Sequence, residues 1–390
     1  MDGAGICPWL PGMANTKKAY NAAFWRMCAG ALLFFLSFNM VLPELPDALR
    51  HLGGASKLGW IIPAFALSAL LARPFSGWLT DTVGRKTAMI AGCIFCVFAG
   101  LLYPFAGSVL AFFLIRALHG FSAGFSPTGF TAYTSDIVPE EKMGEAMGWQ
   151  GIFNNLGTAL GFSFGAFIAL EFGSQQLFFC SSIFAIMAMI MFAGLPETVV
   201  QSKKSTVFPI FYTGAWQPAF CMLMVCVPLG AILTVMPDYT LYKGFSNKGL
   251  FLSVYVFSSL LVRLFSGKLS DKMGREISVG IGTFMQLVSL ILLAANSCFW
   301  MSAVLYGIGQ GFNAPGLFAW TSDLSDKEFR GRAIAFLFMA LETGIIAGGL
   351  SAGFLIHTRS EPNFSAVFLV MSAFPAATLI SVLLMRKAKK

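Results

Sequence analysis

Twelve apolar runs constrain the chain before any motif is considered. They lie at roughly residues 19–42, 55–79, 87–105, 109–132, 145–170, 175–194, 215–236, 248–267, 277–295, 298–320, 332–356 and 365–385. A helix needs about 20 apolar residues to cross a bilayer, and each run supplies roughly that. Hydrophobic residues make up 57% of the chain and charged residues only 11%, against about 25% charged in a typical soluble domain. So few charges cannot cover a soluble fold of this size. A soluble enzyme, a disordered chain and a nucleic-acid binder are therefore excluded, and the apolar content belongs in a bilayer.

The longest polar interruption runs from Pro196 to Pro209 and contains Lys203, Lys204 and Ser205. It splits the runs six and six. The expected organisation is an N-terminal segment 1–18, a six-helix bundle 19–194, a central loop 195–214, a second bundle 215–385 and a basic tail 386–390. With the N-terminus placed inside, the inner segments hold 18 of the 26 Lys and Arg residues and the outer segments hold 5. The other three, Arg73, Arg116 and Arg263, fall within apolar runs. This bias predicts that both termini are cytoplasmic in a multi-pass plasma (inner) membrane protein. Residues 1 to 18 contain no apolar signal core, and Met13, followed by Ala-Asn-Thr-Lys-Lys, is an alternative start. The eight cysteines lie mostly in apolar runs. The Cys93/Cys96 pair reads as ordinary small apolar packing. No metal or cofactor is expected.

The two halves repeat each other. Arg73-Pro-Phe-Ser-Gly-Trp-Leu-Thr-Asp-Thr-Val-Gly-Arg85 matches Arg263-Leu-Phe-Ser-Gly-Lys-Leu-Ser-Asp-Lys-Met-Gly-Arg275 at an offset of 190. Ala132-Tyr-Thr-Ser-Asp136 matches Ala319-Trp-Thr-Ser-Asp323 at 187, and Asn155-Leu-Gly157 matches Glu342-Thr-Gly344 at the same offset. Parallel six-helix repeats place a binding site near the membrane midplane, between the halves.

Gly77-Trp-Leu-Thr-Asp-Thr-Val-Gly-Arg-Lys86 and its copy from Gly267 to Glu276 resemble the loop 2–3 and loop 8–9 signature of the major facilitator superfamily. The resemblance extends over the whole chain and is nearest to the twelve-helix drug/metabolite:proton antiporters. It implies an all-α membrane protein of two pseudosymmetric six-helix bundles. It also implies a cytoplasmic latch, with Gly77, Asp81, Gly84, Arg85 and Asp136 in one half and Gly267, Asp271, Gly274, Arg275 and Asp323 in the other. In the family, the signature Asp meets the start of helix 11 and the signature Arg pairs with an acid at the inner end of helix 4. The physics agrees, because a glycine admits a close backbone neighbour and a carboxylate complements a helix N-terminus.

Glu342 is the acid set deepest in an apolar run. A carboxylate there must be neutralised or paired with a cation, which suits proton coupling or recognition of substrate charge. Arg116, in Arg116-Ala-Leu-His-Gly120, resembles the helix 4 motif that the family links to proton transfer. His119 is read as pointing elsewhere on that helix. Helix 5 carries Gln150, Asn154 and Asn155 and a glycine series through Gly157, Gly161 and Gly165. It partly resembles the exporter motif, with Phe162 where the motif has Pro. Helix 1 has Asn39 where drug exporters often have an acid. Its end, like that of helix 7 at Val235-Met-Pro-Asp238, is expected to be broken by proline. Glu44 and Asp47 are read as wetted structural acids near the outer mouth. Asn39, Gln150, Asn154, Asn155, Gln310 and Asn313 are the candidate cavity residues.

The expected function is proton-coupled export of a small molecule by a monomer in the lipid bilayer, working by alternating access. The alternatives are a proton-coupled uptake symporter for a sugar, organic acid or metal chelate and, more distantly, a polytopic membrane enzyme. A P-loop and His-Glu-x-x-His are absent from the sequence.

Overall fold

The computed structural model describes residues 20–54, 57, 60–198, 212–245, 250–356 and 363–388. The whole N-terminal segment 1–18 with the Met13 start, most of the central loop, and the last two lysines lie outside these residues.

Among the described residues twelve long helices follow one another. They are α1 (Ala22–Met40), α2 (Ile61–Thr82), α3 (Arg85–Leu102), α4 (Val109–Ile137), α5 (Met143–Phe172) and α6 (Ser174–Ala193). The second six are α7 (Trp216–Tyr242), α8 (Leu250–Met273), α9 (Arg275–Ala294), α10 (Phe299–Leu324), α11 (Arg330–Ile356) and α12 (Phe364–Ala388). No strand occurs among the described residues. Eleven of the helices are long and apolar enough to cross a membrane. The exception is α10, which has Ser302, Gln310, Asn313, Ser322 and Asp323 along its length.

Local chemistry sets several helix ends. Asn21 and Ser108 accept backbone N–H bonds at the starts of α1 and α4, at 3.0 and 3.2 Å. Two of the chain reversals are single glycine hinges, Gly84 between α2 and α3 and Gly274 between α8 and α9. Their φ values of +148° and +92° are costly for any other residue. Of the two helix ends expected to be broken by proline, one needs correcting. α1 ends at Met40, and a short 3-10 turn containing Pro43 leads into a helix at Leu45–His51. By contrast α7 runs on through position 237 to Tyr242. Proline removes one backbone hydrogen bond, and a packed membrane helix can absorb that loss.

Packing in the two halves follows one plan. In the first, α1 lies on α5 and α6, α2 on α4, and α3 on α4 and α6. In the second, α7 lies on α11 and α12, α8 on α10, and α9 on α10 and α12. Aromatic side chains fill both interiors, with Phe24, Phe34, Phe130 and Phe192 in one and Tyr239, Phe251, Tyr306 and Phe368 in the other. Other large apolar residues, including Phe98, Leu170, Phe257, Leu350 and Phe354, are exposed, as a lipid-facing surface requires. The halves meet where α2 packs on α11 and where α5 packs on α8.

Bare helix backbones carry much of this packing. A Cβ added at Gly348 would run into the Val227 carbonyl of α7, whereas one added at Gly353 on the same helix meets nothing within 4 Å. Gly348→Ala should therefore cost about 1–3 kcal/mol of stability by overpacking, and Gly353→Ala should cost nothing comparable. Thermal unfolding of the two variants in the same detergent checks this.

Candidate functional site

The signature ends of the helices form two matching clusters of ions and backbone. In the first, Asp81 at the end of α2 accepts bonds from the N–H groups of Gly331 and Arg332, at 2.7 and 2.9 Å. These N–H groups belong to the open first turn of α11, where a carboxylate is favoured. Arg85 pairs with Asp81 at 2.6 Å and with Asp136 at 2.9 Å. It also donates to the Lys327 carbonyl across the halves at 3.0 Å. Arg330 reaches Asp136 from the other half at 3.1 Å. Gly77 permits the approach, because a Cβ there would lie 3.0 Å from Arg332 Cα and 2.8 Å from Ala335 Cβ.

The second cluster repeats the first almost atom for atom. Asp271 accepts from the N–H groups of Gly144 and Glu145 at the start of α5, at 2.8 and 2.9 Å. Arg275 pairs with Asp271 and, at 2.7 Å, with Asp323. It donates to the Glu140 carbonyl at 3.2 Å. Gly144, Glu145 and Glu140 are the residues that an offset of 187 places opposite Gly331, Arg332 and Lys327. The second cluster is wetter, with Asp323 29% exposed against 12% for Asp136. Met143 stands opposite Arg330, so a third ion is missing there.

Deeper in the bundle, one ion pair joins the halves. Arg73 lies eight residues before Asp81, or about 12 Å along α2. Its Nη2 and Nε reach Glu342 Oε1 of α11 at 2.5 and 3.2 Å. Its Nη1 donates to the Gly124 carbonyl and Thr128 Oγ1 of α4, both at 3.1 Å. The Phe338 ring covers the guanidinium at 4.0 Å. Arg73 is 3% and Glu342 8% exposed. The second oxygen, Glu342 Oε2, is buried with no hydrogen-bond partner among the described residues. The hydrogen bonds and ion pairs between the halves, among the described residues, lie at this depth or nearer the signature end. The signature end is thus the closed end.

Several sequence candidates fall elsewhere. Arg116 does not meet Glu342. It donates to the Ile61 carbonyl at 3.1 Å and lies over the Phe65 ring at 4.4 Å. Ile61 is twelve residues, about 18 Å along α2, from Arg73. His119 does not point away from Arg116. A spacing of three puts both on one helix face, and His119 packs edge-on against the same Phe65. Three proposed cavity residues are bound within their own half. Asn39 donates to Thr158 at 3.1 Å, Gln150 bridges Thr131 and Thr134 at 2.8 and 2.7 Å, and Asn313 bonds Gln286 and Thr283 at 3.4 and 3.3 Å. Each thus uses its polar atoms to hold neighbouring helices. Asn154 Oδ1 and Gln310 Nε2 remain without partners, and Asn155 is partly exposed. Glu44 meets Ser174 at 3.3 Å and Asp47 pairs with exposed Arg50 at 2.5 Å. Sequence reasoning missed Arg73 as the partner of Glu342. The available signal was that Arg73 heads the duplicated block inside an apolar run.

Comparisons with known proteins bear on this arrangement. The Quinolone resistance protein NorA of Staphylococcus aureus (strain MRSA252) is 26% identical over 365 residues, covering 89% of this chain and 93% of NorA. The Multi-drug resistance efflux pump PmrA of Streptococcus pneumoniae (serotype 4, strain TIGR4) is 29% identical over 355 residues, covering 83% and 88%. The fold is shared with the crystal structure of the human organic anion transporter MFSD10 (TETRAN). That structure has a TM-score of 0.77 and 17% identity over 92% of this chain and 98% of that one. The family model of the Major Facilitator Superfamily matches residues 27–258 and 218–390. Two matched halves, twelve helices and the duplicated signature place the chain in one family: it belongs to the Major Facilitator Superfamily.

Proposed function

We propose that this transporter exports small amphiphilic molecules in exchange for protons, and that the Arg73–Glu342 pair is its coupling element. The export direction is supported by the efflux and resistance relatives. The buried, cross-half ion pair carries the coupling assignment. The Lys and Arg bias sets the signature end, with both termini, in the cytoplasm of a plasma-membrane protein. With the signature end closed, the structure is then the outward-facing state.

The cycle follows from the charges. While Glu342 is ionised, its attraction to Arg73 holds α2 against α11 and adds to the two ionic clusters below. A proton arriving from outside binds the unpartnered Oε2 and removes the negative charge. Arg73 keeps its bonds to Gly124 and Thr128, so it remains with the first half when Glu342 lets go. The halves then rock, the clusters separate and the site opens to the cytoplasm. The proton leaves inward as substrate enters. The restored carboxylate draws α2 and α11 together again and returns the substrate to the outer side. One group thus carries both the proton and the lock.

Glu342→Gln fixes the neutral form. In energised inside-out vesicles, this variant should release no protons on substrate addition and lose about 100-fold in proton-driven transport. Substrate exchange without a gradient should stay within several-fold of wild type. Proton release equal to wild type would contradict the assignment. The latch is tested separately by crosslinking a cysteine pair across the signature end. Asp81→Asn loses charge-assisted bonds worth about 1.5–3 kcal/mol in the more buried cluster, so it should shift the population toward the open form by about tenfold or more. Asp271→Asn should shift it less, and the reverse order would overturn the ranking.

A further inference from the structure

The repeat that aligns the two halves also exposes where they differ. Arg263 of α8 is the counterpart of Arg73, and every group that satisfies Arg73 is either replaced or otherwise engaged around it. Asn155 replaces Glu342, Pro315 replaces Thr128, and Gly151 replaces Phe338. The carbonyl of Gly311, opposite Gly124, instead accepts from Ser266 at 2.7 Å. Arg263 Nε is buried with no hydrogen-bond partner, and no carboxylate pairs with this residue among the described residues. The guanidinium lies on bare α5 backbone, where a Cβ at Gly151 would stand 3.1 Å from its Cζ. Whereas Arg73 is buried, Arg263 is partly exposed. It lies eight residues before Asp271, so it stands at the same depth as the Arg73–Glu342 pair. Asn154 and Asn155 follow Gly151 at helical spacings of three and four, one turn farther from the latch on the same face of α5. Asn154 Oδ1 has no partner either.

An uncompensated guanidinium at this depth is costly unless an anion visits it. We propose that Arg263, with the amides of Asn154 and Asn155, binds a carboxylate carried by the exported molecule, so that the preferred substrates are amphiphiles bearing a carboxylate. This rests on the export reading above. A fork of guanidinium donors suits a planar carboxylate. The two amides add donors on the outer side, facing the end of the bundle that is not latched. The asymmetry also divides the work between the repeats. Arg73 has a built-in acid and serves coupling, and Arg263 lacks one and serves recognition.

The test uses a fluorescent amphiphile with a free carboxylate and its methyl ester, measuring equilibrium binding in nanodiscs and export from proteoliposomes. In wild type the acid should bind more tightly than the ester. Arg263→Gln should weaken acid binding by about tenfold and ester binding by less than twofold, and Arg263→Lys should fall between. Asn155→Glu supplies the missing internal carboxylate and should also weaken the acid by about tenfold, which keeps the test open if Arg263→Gln folds poorly. Equal losses for acid and ester, no loss for either, or no preference for the acid in wild type would overturn the proposal. Chloride is tested by replacing it with gluconate. If ester binding depends on chloride in wild type but not in Arg263→Gln, the anion is inorganic and the substrate assignment fails. If acid binding falls in Arg263→Gln while neither compound is exported, the anion site stands and the export reading fails.

Discussion

The cost of charge in a hydrocarbon slab governs this molecule. Either Arg73 or Glu342 alone at the depth they occupy would cost several kcal/mol. Together, with the Gly124 carbonyl, Thr128 and the Phe338 ring, they form a site that holds α2 to α11. Removing one partner of such a buried pair costs about 3–5 kcal/mol. In the proposed cycle the same pair is a strong joint and, through one proton, a releasable one. Of the ionic clusters below it, the first is as buried as the pair itself, with Arg85 and Asp81 3% and 2% exposed, and the second is wetter.

Duplication supplies the framework and divergence supplies the function. Both signature Asp residues cap the first turn of a helix in the opposite half, and both signature Arg residues reach a carbonyl across the same boundary. Such agreement follows from two copies of one fold facing each other. The larger divergence appears about two turns above. One arginine there is neutralised from within the protein, and the other has no carboxylate partner among the described residues.

Much of this was legible in the sequence because hydrophobicity and local motifs determine it. The apolar runs gave the twelve helices to within a few residues at most ends, and the spacing of the repeats gave their pairing. Glu342 was recognisable because an acid far inside an apolar run has few innocent explanations. Its partner was less visible. Arg73 and Glu342 are 269 residues apart, and nothing local in either segment says which cation meets which acid. Arg116 was the more conspicuous arginine by motif, yet its hydrogen bond and ring contact lie within its own half, and its Nη1 has no hydrogen-bond partner among the described residues. The polar residues Asn39, Gln150 and Asn313 illustrate the same limit. Position along a helix shows that a polar group lies at membrane depth, but only packing shows whether it faces a neighbour or a cavity. Proline was over-read at the end of α7, where neighbouring helices support a chain that would bend or fray in isolation.

The central claim is that ionised Glu342 holds the signature end shut and its protonation releases it. The most direct measurement is the distance between spin labels at Val83 and Lys327, on opposite halves of that end, as pH is lowered. The account predicts a short distance in wild type at neutral pH and a growing long-distance population in acid. In Glu342→Gln the long population should be present at every pH. A wild-type pH response that persists in Glu342→Gln would show that another group controls closure and would contradict the account.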